Sequence, residues 1–143
     1  MAKPSPPTNT HVSTHPVRSL SAKGEKILEK LRVICLALPA ANERISHGEP
    51  CFFAGKGKVF AMFDNHHHGA EHIGVWLPQP IGVQAELIEA APSVFFRPPY
   101  VGVSGWVGVI LDGNPDWGTV AGLIEDGYRH IAGKKLIAEL DAR

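Results

Sequence analysis

The middle of the chain alternates between short apolar runs and links that contain glycine or proline, and this pattern constrains the fold most. The runs are rich in Val, Ile, Phe and Trp and occupy residues 45–47, 51–53, 59–63, 72–77, 94–97 and 105–111. Runs of this length and composition favour strands over helices. In the run 105–111 both alternating faces are apolar, which is typical of a strand covered on both sides. The pattern predicts a sheet with other elements packed on it.

The link at residues 55–58, Gly-Lys-Gly-Lys, separates two of these runs. Two apolar β runs joined by a glycine-containing link of this length predict a hairpin. The link is not a phosphate-binding loop, because it lacks the GxxxxGK[ST] pattern and a following helix. Lys56 and Lys58 are therefore expected at an exposed turn.

Helices are predicted at both ends of the strand region. Residues 21–38 carry an apolar stripe at helical spacing that ends at Pro39, residues 80–91 form a short helix, and residues 136–140 form a tail helix. A long helix is expected from Asn114-Pro-Asp116 to about residue 131, with Asn114 as its cap and Pro115 at its first position. The order of elements predicts an α+β fold with a largely antiparallel sheet and helices packed on it.

The 143 residues are enough for one domain. Residues 1–18 are rich in proline and polar residues and are expected to be a disordered tail, so the single domain covers residues 19–143. No apolar run has the length of a membrane span and the first residues lack a signal-peptide core, so a cytoplasmic location is expected. Cys35 and Cys51 are interpreted as reduced and structural, and Cys51, which follows Pro50 near the predicted cleft, is the candidate exception.

Several segments resemble the MmcQ/YjbR family in order and spacing. They are SHGEP (46–50), GKVFA (57–61), HHHG (66–69), FRPPYVG (96–102), GWVGVILD (105–112) and the helix at 116–131, and the resemblance covers roughly residues 22–141. The family implies a curved antiparallel sheet with helices packed on it. Its members are often described as DNA-binding, without a shared reaction. This chain has Val103-Ser104 where many members carry a basic residue or histidine, which weakens phosphate contacts by that loop.

The resemblance and the charge distribution together favour non-sequence-specific DNA binding. Net charge is zero, but nine of the 14 Lys and Arg residues lie in residues 1–58, against four of the 14 Asp and Glu. Lys56 and Lys58 would contact phosphates, supported by Arg44, Arg97 and the lysines of the first helix. The scarcity of basic residues after residue 58 is evidence against this hypothesis.

A second hypothesis is a small-molecule binder or enzyme. Its cleft would be lined by His47, Trp76, Arg97, Tyr100 and Trp106, next to a loop rich in glycine and proline at 97–105. Both tryptophans lie in apolar runs, so core packing is the alternative for them. No catalytic motif or dinucleotide fingerprint is present, and no cofactor is predicted. An interaction module acting through a sheet face or edge is a third possibility.

The internal run of three histidines raises the question of a metal site. In an extended segment His66 and His68 project to one side, with His72 or Asp64 as a third partner. A metal site needs three or four converging ligands, which sequence does not establish. A polar turn between strands is the alternative interpretation.

Overall fold

The computed structural model describes residues 19–66 and 71–143. The predicted disordered tail at residues 1–18 and the candidate ligand His68 lie outside the described residues. No helix among the described residues is long and apolar enough to cross a membrane.

Helix α1, Ala22–Leu36, packs on the sheet through one apolar stripe. Its first turn is capped by Ser21, whose hydroxyl accepts a hydrogen bond from the Gly24 amide at 3.0 Å. Leu28, Leu31 and Cys35 are buried in the common core. The helix ends two residues before the predicted position. Arg32 on this helix forms a bidentate ion pair with Glu43 on the first strand.

Six strands form one antiparallel sheet in the order β1-β2-β3-β4-β6-β5. The strands are β1 Ala41–Ser46, β2 Glu49–Ala54, β3 Val59–Asn65, β4 Ile73–Leu77, β5 Phe95–Phe96 and β6 Val107–Ile110. Every paired neighbour runs antiparallel. The predicted α+β fold with an antiparallel sheet is therefore confirmed.

Two turns at opposite ends of β2 set the registers of the first three strands. His47 and Gly48 both have positive φ and connect β1 to β2 in a two-residue reversal, a geometry that matches the twist of paired strands. The strand predicted at 45–47 is corrected, since residues 45 and 46 end the longer strand β1 and His47 belongs to the turn. At the other end the predicted 55–58 hairpin is present, and its Gly55 amide donates to the Ala40 carbonyl at 2.9 Å.

A β-bulge at Phe60 changes the alternation of β3. Phe52 pairs with Ala61 and Phe53 pairs with Val59, so Phe60 is the extra residue. Phe60 and Ala61 both belong to the core that faces the helices. Beyond the bulge, Met62 and Asp64 lie on the opposite side of the sheet. We call this side the open face.

The long helix α3, Trp117–Ile131, covers the helix side of the sheet together with α1. The N-cap of this helix is Asp116 and not the predicted Asn114. The Asp116 carboxylate accepts a hydrogen bond from the Gly118 amide at 2.9 Å, whereas Asn114 has a positive φ. Tyr128 is fully buried and donates its hydroxyl to the Pro39 carbonyl at 2.7 Å. Helix α4, Lys134–Asp141, follows after Gly133.

The segment between β4 and β6 covers part of the open face. It contains α2, Val83–Ala90, which starts later than predicted, then β5 and a 3₁₀ turn at Val101–Ser104. The Phe96 ring lies directly over Gly108, and a Cβ there would come within 2.3 Å of it. The interpretation of the 105–111 run as a strand covered on both sides therefore agrees with the structure for β6.

Candidate functional site

A cavity of about 290 Å³ lies on the open face. Three structural units contribute to its lining. The strands supply Ser46, Glu49, Cys51, Met62, Asp64 and Trp76, the β1–β2 turn supplies His47, and the loop before β6 supplies Tyr100 and Val101. Small molecules usually bind in concave, mostly apolar and largely pre-formed cavities.

Strand register explains why these residues converge. Cys51 pairs with Met62, and Met62 pairs with Trp76, so the three side chains form one row across β2, β3 and β4. Continuing the β2–β3 register by two residues places Glu49 opposite Asp64. Directly opposed residues have Cβ atoms about 4.5–5.5 Å apart. The floor of the cavity is thus an apolar row beside two carboxylates.

The two carboxylates are withdrawn from solvent. Glu49 is 6% exposed and Asp64 is 3% exposed. The Asn65 amide donates a hydrogen bond to Glu49 Oε2 at 2.9 Å. Buried acidic residues are uncommon unless they have partners or a function. Their position places two buried carboxyl groups beside the β1–β2 turn.

Trp76 lines the same cavity and also has a buried polar atom without a partner in the described part of the chain. The residue is 7% exposed, and its indole Nε1 is buried with no hydrogen-bond acceptor among the described residues. Leaving a buried donor unsatisfied costs about 1–3 kcal/mol. A buried indole N–H usually has a partner.

The covering loop approaches the cavity through a γ-turn at Tyr100. The residue has φ 62° and ψ −69°, and the Val101 amide donates to the Pro99 carbonyl at 2.6 Å. This turn form is rare and strained for a non-glycine residue. Tyr100 is 72% exposed and lines the cavity mouth. Strained backbone of this kind clusters at binding sites.

Cys51 forms part of the floor and is not activated. Burial, together with the nearby Glu49 and Glu43 charges, raises the pKa of the Cys51 thiol to about 12. Burial also raises the pKa of Cys35. Both cysteines are free thiols. These environments are those of inert structural cysteines, since the reactive form is the thiolate.

The raised thiol pKa predicts a specific alkaline sensitivity. Above the unfolded-state pKa of 9.0 the unfolded thiol loses its proton, while Cys51 in the folded protein keeps it up to about pH 12. Stability should therefore fall as pH rises from 9 to 12, by at most about 1.4 kcal/mol per pH unit from this group. Urea unfolding of wild type and Cys51→Ala across this range should give a difference that shrinks with pH. Parallel curves would contradict the assignment.

The predicted cleft is partly assembled. His47, Trp76 and Tyr100 line the cavity, whereas Trp106 and Arg97 are not among its lining residues. Trp106 is half-buried, and its carbonyl accepts a hydrogen bond from Gln84 on α2. The exposed Arg97 packs its side chain against Gly102 and supports the loop from outside.

Sequence reasoning missed Glu49 and Asp64 as a pair. Glu49 lies next to Pro50, which suggested an interruption between two strands. Asp64 lies next to Asn65, which precedes the run of histidines. A carboxylate at an inward position of an apolar strand is a signal of a site. Its partner could be found only with the β2–β3 register, which depends on the bulge.

The histidine candidates do not converge on one another in the described part of the chain. His66 follows β3, and His72 Nδ1 lies 3.2 Å from Asp112 Oδ1. Residues 19–66 and 71–143 contain no group of three or more His, Cys, Asp or Glu residues arranged to hold a metal ion. A site that includes His68 stays a prediction.

The predicted DNA-contacting residues occupy separate parts of the sheet. Lys56 and Lys58 are exposed at the 55–58 hairpin. Arg44, on edge strand β1, lies over the Phe53 ring with its Cζ 3.6 Å from the ring centroid. Arg97 follows β5 at the opposite edge.

Two lysines of α1 are engaged in the helix layer. Lys23 Nζ donates to the Asp112 carbonyl at 2.9 Å, and Lys30 Nζ lies 5.4 Å from the Trp117 ring centroid. Both groups point toward α3 or the chain leading to it. They do not extend the basic surface of the hairpin.

A family model described as YjbR matches residues 36–130. The match covers all six strands and most of α3. The chain belongs to the YjbR family. The resemblance to MmcQ/YjbR proteins is thereby confirmed, and the segment that lines the cavity lies inside the matched region.

A solved structure of the same fold is the Deinococcus radiodurans protein DR2400, which has a DUF419 domain. It is 22% identical, covers 71% of this chain and 75% of its own length, and has a TM-score of 0.59. At this identity the similarity shows the fold alone. No curated protein matches the chain.

Proposed function

We propose that this YjbR-family chain binds a small organic molecule in the cavity on the open face. The observation that carries the proposal is the cavity of about 290 Å³ itself, whose floor is the row formed by Cys51, Met62 and Trp76 and whose mouth is lined by Tyr100. Small-molecule sites are usually concave, largely pre-formed cavities of this kind.

The composition of the cavity supports the same proposal. Apolar side chains such as Met62 and Trp76 line it, and a few polar groups, including Glu49 and Asp64, lie at one end. Ligand pockets combine apolar walls with a small number of polar groups that fix orientation. The strained γ-turn at Tyr100 places an exposed aromatic side chain at the mouth.

Binding can be tested with matched blocking variants. Ser46 lines the cavity and Ser104 is exposed on the 3₁₀ turn outside its lining. A library of small aromatic fragments should shift the Trp76 indole N–H resonance in wild type and in Ser104→Trp. Ser46→Trp should fill the cavity and abolish these shifts. Fragments that never perturb this resonance, or that bind Ser46→Trp equally well, would refute the proposal.

A second candidate function is DNA binding through the 55–58 hairpin. The Leu136 side chain lies against Gly55, so the hairpin is next to the start of α4, where Lys134 and Lys135 are exposed. These lysines together with Lys56 and Lys58 are the candidate basic patch. A patch of this type supplies phosphate contacts without reading sequence.

The patch makes a quantitative prediction for duplex DNA. Each lost phosphate contact should reduce the slope of log K against log salt by about 0.9. The double variant Lys56→Ala/Lys58→Ala should therefore have a slope smaller by about 1.8 than wild type. Fluorescence anisotropy titrations between 50 and roughly 200 mM salt would measure it. Lys23→Ala/Lys30→Ala, in the helix layer, is the control and should leave the slope unchanged.

A further inference from the structure

We infer that the cavity on the open face binds an uncharged aromatic ring, held between the Met62 side chain and the Tyr100 ring. This inference rests on the proposed small-molecule site and specifies the chemical class of its ligand. Three observations lead to it. They are the accessible thioether on the floor, the aromatic side chain at the mouth and the charges of the lining residues.

Met62 is the accessible part of the cavity floor. In the row across β2, β3 and β4, Cys51 is 1% exposed and Trp76 is 7% exposed, whereas Met62 between them is half-buried. Neighbouring strands are about 4.8 Å apart, so three side chains in a row make an apolar platform about 10 Å wide. This width is enough for one or two rings. A methionine sulfur makes favourable contacts with aromatic rings, in addition to the burial of apolar area.

Tyr100 supplies an aromatic side chain at the cavity mouth. It lies on the covering loop, lines the cavity and is 72% exposed. Its backbone is a γ-turn between the buried residues Pro98 and Gly102, which hold the loop in place. Aromatic pairs in offset or edge-to-face contact gain stabilisation beyond that from buried area. We therefore expect a ligand ring on the floor to contact both Met62 and Tyr100.

The lining residues do not provide for a charged ligand. Neither Lys nor Arg is among the described residues that line the cavity, so an anion would gain no permanently charged partner. Glu49 and Asp64 are buried and already interact with other groups of the protein. Burial also raises the pKa of the Cys51 thiol to about 12, which keeps this part of the floor neutral. A charged ligand would lose its hydration without full compensation, and this loss is costly.

Four probes of similar size test the inference. Benzyl alcohol is neutral and aromatic, cyclohexylmethanol has a saturated ring in its place, and benzylamine and benzoate carry opposite charges at neutral pH. Met62 is one of two methionines in the chain, so an isotope label on the methionine methyl groups reports directly on the floor. We expect benzyl alcohol to bind about threefold or more tightly than cyclohexylmethanol, and about tenfold or more tightly than either charged probe.

A substitution at Met62 separates the thioether from its volume. Met62→Leu keeps the apolar volume and removes the sulfur, so both alcohols should still bind but the preference for the aromatic one should shrink. Binding to this variant is followed at the indole resonance of Trp76, the residue that pairs with Met62. Val103→Leu, at an exposed position outside the described lining, is the control and should keep the wild-type preference. Amide spectra without ligand verify that each variant is folded, and the comparison of four probes on wild type needs no variant.

The outcomes distinguish the ligand class from the existence of the site. If cyclohexylmethanol or a charged probe binds as tightly as benzyl alcohol, the cavity binds small molecules but the inferred class is wrong. The class is also wrong if other fragments bind in the cavity and benzyl alcohol does not. If none of the probes and no aromatic fragment perturbs the Met62 or Trp76 resonances, both the class and the proposed function are wrong. An unchanged preference in Met62→Leu would overturn the role of the thioether.

Discussion

Replacing Phe60 with Ala is expected to lower the free energy of unfolding by about 3–5 kcal/mol. The side chain is fully buried between the sheet and α3. Its ring packs edge-on against Tyr128, with centroids 5.2 Å apart and planes at 85°. Such a pair adds about 0.5–1.5 kcal/mol beyond buried area. Truncation removes this contact and leaves a cavity under α3.

Urea denaturation of Phe60→Ala and Val59→Ala tests this placement. Val59 is the half-buried neighbour on the same strand and lies outside the core. Its truncation should cost much less than that of Phe60. If Val59→Ala were as destabilising as Phe60→Ala, the bulge would be in the wrong place and Phe60 would not face the helices.

Phe60 also shows where prediction from the sequence stops. Alternation along residues 59–63 separates Phe60 and Met62 from Val59, Ala61 and Phe63, and so puts Phe60 on the open face. The strand itself was predicted correctly because its composition and flanking glycines are local signals. The bulge depends on how β2 and β3 pair, and pairing is a non-local property.

The candidate site, like the strand, was predictable from local signals but not where it depends on strand pairing. His47, Trp76 and Tyr100 were expected at a cleft and do line the cavity. Glu49 was not predicted as a site residue. It follows the turn at His47 and Gly48, and both His47 and Glu49 line the cavity. Positive φ is uncommon at non-glycine residues, although histidine adopts it several-fold more often than most.

The effect of Gly108→Ala on the free energy of unfolding should depend on the residue at position 96. The substitution should destabilise the protein when Phe96 is present and should not when Phe96 is replaced by Ala. In wild type the new Cβ would lie 2.3–2.7 Å from three ring atoms of Phe96, so the ring must move. Overpacking of this kind costs about 1–3 kcal/mol. A Phe96→Ala background removes the three atoms nearest to the new Cβ, and Gly108 has no left-handed φ, so alanine should be neutral or stabilise by about 0.4–1 kcal/mol.

The comparison of Gly108→Ala with and without Phe96 also tests whether the covering loop is linked to the cavity. Phe96 leads directly into the loop that carries Tyr100, so displacement of its ring should weaken fragment binding at Trp76 as well as stability. Gly122→Ala is the matched control, since Gly122 is exposed on α3 with nothing within 4 Å of a new Cβ. That change should stabilise by about 1 kcal/mol in both backgrounds and leave binding unchanged. Equal costs for Gly108→Ala with and without Phe96 would mean that the ring does not lie on the strand.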